Sequence, residues 1–193
     1  MDKSELHEAR TNPDFLKYLE ETRVSSIEQK NISAMYETLD SMLVLGLEEE
    51  KINSLYENIL KVAFENVEVI VNSSRKLKLE DDELLYVRAF FEHAVEKWSI
   101  NNFNGASELI FVLANIIDDE VLEKSLNTLL IVLSKQTNLD EFFENKVDLE
   151  KDPTSEKYGY FITNFKFDQD KYLEENKDTL KELYKKYQPL LED

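Results

Sequence analysis

The chain has 193 residues and a formal net charge of −18, from 41 acidic and 23 basic side chains, with no cysteine. Its 42% apolar and 33% charged composition is that of a globular protein long enough to bury a sizeable core. The missing thiols exclude disulfides, zinc–thiolate sites, iron–sulfur clusters and thiol catalysis, and the acid excess opposes phosphate backbones and anionic lipid surfaces.

Only three glycines and three prolines punctuate the chain, too few for the turns of a strand-rich protein. The expected fold is all-α, an irregular helical bundle or a short α-solenoid of antiparallel hairpins in one domain over 1–193. The first residues carry no apolar leader-like run. The longest uninterrupted apolar run, Leu109–Ala114, falls far short of the roughly 20 residues that span a bilayer. A soluble cytoplasmic protein is expected, without a membrane partner.

Taken in order, residues 1–11 read as a short, loosely held helix or a flexible arm. Asn12-Pro13 is a cap followed by proline at the first helical position, and it starts a helix to about Arg23 on a face of Phe15, Leu16 and Leu19, with Tyr18 as a further candidate. Ser25 with Glu28 has capping-box spacing and predicts a second helix to Leu45, with Asn31 and Ser33 as candidate breaks in its first turn. Its stripe is Ile32, Met35, Tyr36, Leu39, Met42 and Leu43, and Gly46 suits the left-handed residue that ends a helix. Glu48–Glu50 opens a long helix whose stripe runs from Ile52 to Val67, and the β-branched run Val67–Val71 continues it to about Asn72. Glu80–Glu83 opens the next, with Leu84, Val87, Phe91, Ala94, Val95 and Trp98 inward and a tight turn at Asn101–Gly105.

The helix that follows is nearly free of polar residues from Leu109 to Ile117, so it is expected at the centre of the core, with Leu109, Leu113 and Ile116 buried. Asp118 or Asp119 caps another helix, with Val121, Leu122, Leu126, Leu129, Leu130 and Leu133 inward. Asn138 with Glu141 caps a short helix carrying Leu139, Phe142 and Phe143. Residues 148–167 form a loop and an aromatic flap. Within it Tyr158–Phe167 is partly alternating, which predicts either a small strand pair turning at Thr163-Asn164 or an extended cover over one end of the bundle. A charged helix over 168–188 is expected at the periphery, ending before Pro189.

The helices can be paired as 26–72, 80–117 and 119–146, each of roughly repeat-module length. Phe90, Ala94, Phe103 and Ala106 in the middle pair are similar in spacing to the packing positions of a tetratricopeptide hairpin. Lys97 and Asp118 stand where that family has an aromatic and a proline, and the likeness covers only about 35 residues, so it assigns no family.

Chemistry-bearing motifs are sparse. The two histidines, His7 and His93, lack the Glu-x-x-His spacing of di-metal bundles. His93 sits beside Glu92 and three residues from Glu96, and reads as a structural residue. The chain resembles the magnesium-dependent all-α nucleotide pyrophosphohydrolases in size and helicity, and Glu174-Glu175 with Asp178 gives one acidic motif of their kind. The second motif is missing, since Ile52 stands where Glu48-Glu49 would need an acid. Phosphate-binding loops, nucleophile elbows and calcium-binding loops are absent.

No catalytic residue, metal ligand or cofactor is assigned. The expected function is a non-catalytic protein–protein interaction module such as an adaptor, chaperone-like binder or assembly factor. The alternative is an all-α enzyme or small-molecule binder with a carboxylate- or aromatic-lined pocket. The interaction candidates are Tyr158, Tyr160, Phe161, Phe165 and Phe167, because exposed aromatics anchor interfaces. The partner expected is a protein, possibly basic, with no nucleic acid; a homodimer is also open. The acid runs 48–50, 80–83 and 118–120 are expected to surround the molecule without forming one patch.

Overall fold

A computed structural model describes residues 3–191, which form ten α-helices joined by short connections except over residues 147–168. Among these residues there is no sheet, and no helix is long and apolar enough to cross a membrane. The chain divides into two compact units, residues 1–66 and 67–193, with the division inside one long helix.

The first unit contains α1 (Lys3–Thr11), α2 (Pro13–Glu28), α3 (Ile32–Leu45) and the first part of α4 (Glu49–Asn72). Asn12 caps α2 by accepting from the amides of Asp14 and Phe15. The α2–α3 boundary departs from the sequence expectation. Ser25 lies inside α2, where its hydroxyl accepts from the Gln29 side chain. The break comes at Lys30, whose φ is 52°, and Asn31 caps α3 by accepting from the Ala34 amide. Serine and asparagine are about equal as caps, and the left-handed Lys30 puts the break at Asn31, so Ser25 is not the start of α3.

Ile32, Met35, Tyr36, Leu39, Met42 and Leu45 of α3 join Leu19 and the α4 residues Leu55, Ile59, Val62 and Ala63 in the core. Leu43, expected inside, is 54% exposed, because α3 turns its inward face through Leu39, Met42 and Leu45. Gly46 ends α3 at φ 58°. The guanidinium of Arg10 donates to the carbonyls of Leu45 and Val44, which fastens α1 over the negative end of α3. A Cβ at Gly46 would stand 3.2 Å from that guanidinium. Ion pairs Lys51–Glu20 and Lys30–Glu65 tie α4 to the middle of α2 and to the turn that follows it.

The second unit is organised around α5 (Asp81–Ser99), α6 (Phe103–Ile116) and α7 (Glu120–Ser134). Short turns at 100–102 and 117–119 make α6 the antiparallel neighbour of both others. Its buried residues are Ala106, Ser107, Ile110, Phe111, Leu113, Ala114 and Ile116, which span most of its circumference, as the lack of a polar face requires. Leu109 is only half-buried, a correction that follows from the opening of that side of α6 to solvent. Val121, also expected inside, is 45% exposed at the start of α7.

Helix α8 (Leu139–Lys146) packs on α5 through Phe142, whose ring lies 5.3 Å from that of Trp98. The expected C-terminal helix is broken at Asn176 into α9 (Gln169–Glu175) and α10 (Lys177–Tyr187). Asn176 turns its side-chain amide back to the Tyr172 carbonyl and accepts from Lys135. The periphery is where this pair lies: Tyr187 is the one residue of α9 and α10 that is buried. It docks with Tyr184 on Phe111, at ring distances of 5.6 and 5.1 Å.

Candidate functional site

The aromatic segment 158–167 does not fold back on itself. A 3-10 turn covers Glu156–Tyr158, a further turn closes on Phe161, and the chain then runs alongside residues 146–148. Val147 bridges Phe165, with the Asp148 amide donating to Asn164 and the Lys166 amide to Lys146. The strand pair expected around Thr163-Asn164 is therefore replaced by pairing with a distant segment, which takes up the backbone groups that the alternating pattern offered.

The five candidate residues meet different fates. Tyr158 is buried, and its hydroxyl donates to both oxygens of the Asp119 carboxylate at 3.1 Å. Phe161 is buried edge-on against Phe91 at 5.3 Å. Phe165 and Phe167 are half-buried in a chain of rings running Phe142, Phe165, Phe167, Tyr172, with the Lys135 ammonium 4.8 Å from the last ring centre. Tyr160 stays 43% exposed, over the buried guanidinium of Arg88 at 4.4 Å. Most of these rings cover unit two, and Tyr160 presents the largest free face.

Asp119 is the hub beneath this flap. Its carboxylate caps α7 through the Leu122 amide at 3.0 Å and accepts from Lys157 at 2.7 Å as well as from Tyr158. Burial by itself would raise the pKa of this carboxyl, but the donors outweigh it and hold the group below the ordinary carboxylate value. The same contact holds the Lys157 ammonium above its usual value. Burial raises the Tyr158 phenol, which stays a neutral donor.

The acids nearby are gathered, contrary to the dispersed arrangement expected for 80–83 and 118–120. Leu77 and Ile117 form a parallel bridge, with the Leu77 amide donating to the Ile116 carbonyl and the Asp118 amide to the Leu77 carbonyl, each at 2.7 Å. Both bridged side chains are fully buried. Because α5 begins just after the first bridged residue and α7 just after the second, the two helices start at the same end. Glu83 is held by Arg75 at 2.8 Å and Asp119 by Lys157. Glu80, Asp81, Asp82, Asp118 and Glu120 are exposed, and none has a cation within ion-pair distance among the described residues. Exposed Val121 follows directly, and Tyr160 lies two residues beyond the Tyr158 that grips Asp119.

The remaining candidates from the sequence are dispersed. His93 pairs with Glu96 at 2.8 Å on the outside of α5. Glu174 and Glu175 pair with Lys177 and Lys171, and the break at Asn176 puts Asp178 on a different helix. Among the described residues no three acidic or histidine side chains converge as a metal site would require. Sequence reading missed Arg10 and Lys157, whose partners lie 35 and 38 positions away, where local spacing carries no signal.

Compared with protein families, curated proteins and solved structures, the chain matches none.

Proposed function

We propose that this protein is a non-catalytic interaction module that binds a basic protein partner at the end of the second unit where α5 and α7 begin. The observation that carries this reading is that those helices start at the same end, tied by the Leu77–Ile117 bridge, with five exposed acids at the starts, Val121 exposed in the first turn of α7 and Tyr160 exposed in the flap above Asp119. Acids in a first helical turn also complement the helix dipole, worth about 0.3–1 kcal/mol each. That local role does not require two such runs to meet, nor exposed apolar side chains at the same end. An interface centre of aromatic and aliphatic surface inside a charged rim is the arrangement that holds partners.

The test compares the wild-type chain with a variant carrying Asp82→Lys and Glu120→Lys. Affinity capture from the native source, followed by mass spectrometry, should return a basic protein with the first and lose it with the second. The association rate of that protein should fall as salt rises between about 50 and 500 mM, because screening shortens the reach of the acids. Duplex DNA and RNA should show no binding at physiological salt. Tight nucleic-acid binding, or capture that ignores both the substitutions and salt, would end this reading.

A further inference from the structure

Helix α2 carries a polar stripe beside its apolar one. Tyr18, Glu21, Thr22, Ser25 and Gln29 recur at three- and four-residue spacing, which puts them on one face. Tyr18, a candidate for the inward face, is instead 62% exposed. The left-handed Lys30 turns the chain back, so that Asn31 and Ala34 at the start of α3 close the other side of an open pocket of about 290 Å³. That volume stands at the lower limit of small-ligand sites.

The hydrogen-bonding groups here are held in place without being used up. Gln29 donates to the Ser25 hydroxyl at 2.7 Å, which fixes its side chain and leaves its amide oxygen and second N–H. Asn31 accepts from the Ala34 amide at 3.0 Å, so both hydrogens of its own amide nitrogen are left. Thr22 donates to the Tyr18 carbonyl at 2.9 Å and keeps its lone pairs. Among the described residues no other bond takes up these side chains.

Charge and polarity decide what fits. Glu21 is the one charged residue of the lining, and Lys17 stands 3.7 Å from it. An anion would meet that carboxylate with no cation in the lining, and a cation would share it with Lys17. An apolar ligand would strip water from the two amides and give nothing back. A neutral ring bearing hydroxyls meets every feature. Its C–H face stacks on an exposed aromatic ring, and its neighbouring hydroxyls both donate to and accept from planar amides and carboxylates.

We propose that this pocket binds a pyranose sugar unit, stacked on Tyr18 and hydrogen-bonded by Glu21, Gln29 and Asn31. The site belongs to the first unit and does not depend on the acidic end of α5 and α7.

The probes are methyl glucoside, methyl galactoside and methyl mannoside, each titrated into the whole chain and followed by proton–nitrogen correlation spectra. At least one should give saturable shifts in the millimolar range, because each bond to the sugar replaces one made with water. The shifts should fall on the side-chain amides of Gln29 and Asn31 and the backbone amides of Ser25 and Ala34. Tyr18→Ala should weaken binding at least about tenfold, whereas Tyr18→Phe and Glu21→Gln, which keep the ring and the hydrogen bonding, should stay within about twofold. All three positions changed are exposed, so thermal melts should stay close to wild type. Uracil, which is flat and neutral but has no hydroxyls, should not bind. The proposal is overturned by no saturable shift with any of the three sugars, by shifts confined to residues outside 18–34, by binding that survives Tyr18→Ala, or by an equal response to uracil.

Discussion

Asp119 shows how much one side chain can hold when burial and donors act together. Its carboxylate satisfies a helix start, an ammonium and a phenol at once, and its side chain is 8% exposed. Replacing it leaves the α7 amide uncapped and Lys157 and Tyr158 without their acceptor. Asp119→Ala should therefore cost about 2–3 kcal/mol in urea unfolding at neutral pH. The cost has a defined pH dependence. The folded-state pKa lies below the unfolded value, so the stabilisation is complete above the unfolded value and is lost as pH falls through the folded one. The gap between wild type and variant should thus narrow as pH falls below about 4. A gap that stays constant to pH 2 would show that packing of the flap, and not the ionised carboxylate, carries the effect. Tyr158, a candidate partner-binding residue by sequence, is placed by the structure inside this arrangement. Nothing local in the sequence distinguishes it from exposed Tyr160, since the difference is made by an acid 39 positions earlier.

Among the helices, α6 has the clearest relation between composition and place. Leu113 is 1% exposed within it, so Leu113→Ala should destabilise the protein by about 2–5 kcal/mol. Leu109, half-buried on the same helix, should cost about half as much, since less apolar area leaves water. Equal losses at the two positions would mean that the half-open side of α6 is covered in solution. Helix identity and most inward faces were legible because 3.6-residue periodicity is a local property: Ile32 to Met42, Leu55 to Ala63 and Leu122 to Leu133 pack as their spacing dictates, whereas Phe64, expected in the α4 stripe, is 40% exposed. Boundaries were less so. Ser25 and Asn31 both offered starts, and the choice depended on the left-handed Lys30 between them. The stripe edges failed at Leu43, Leu109 and Val121, where a tertiary neighbour, absent from the pattern, decides which flank of a helix is covered. The break at Asn176 is set by side-chain bonds to Tyr172 and Lys135, the second of them 41 residues away.

At the scale of the whole molecule, the acidic end was the least legible part. It is made by chain segments that sequence separates, Glu80 to Asp82 and Asp118 to Glu120. The alternation of buried Leu77 and Leu79 with exposed Lys76 and Lys78 is a local signal for an extended stretch, too short to stand out among so many helices.

That short extended stretch has a consequence for how the second unit breathes. The Leu77 and Asp118 amides belong to no helix, yet they donate across a bridge whose side chains are fully shielded from water. They cannot be released by fraying of a single helix end, because opening them requires the turns before α5 and α7 to part together. In hydrogen–deuterium exchange both should therefore exchange as slowly as the middle of α6, while the Lys76 amide exchanges orders of magnitude faster and the Lys78 amide follows its own bond to the Glu83 carboxylate. Fast exchange at Leu77 and Asp118 would mean that the two helix starts separate on their own, without unfolding of the unit that they begin.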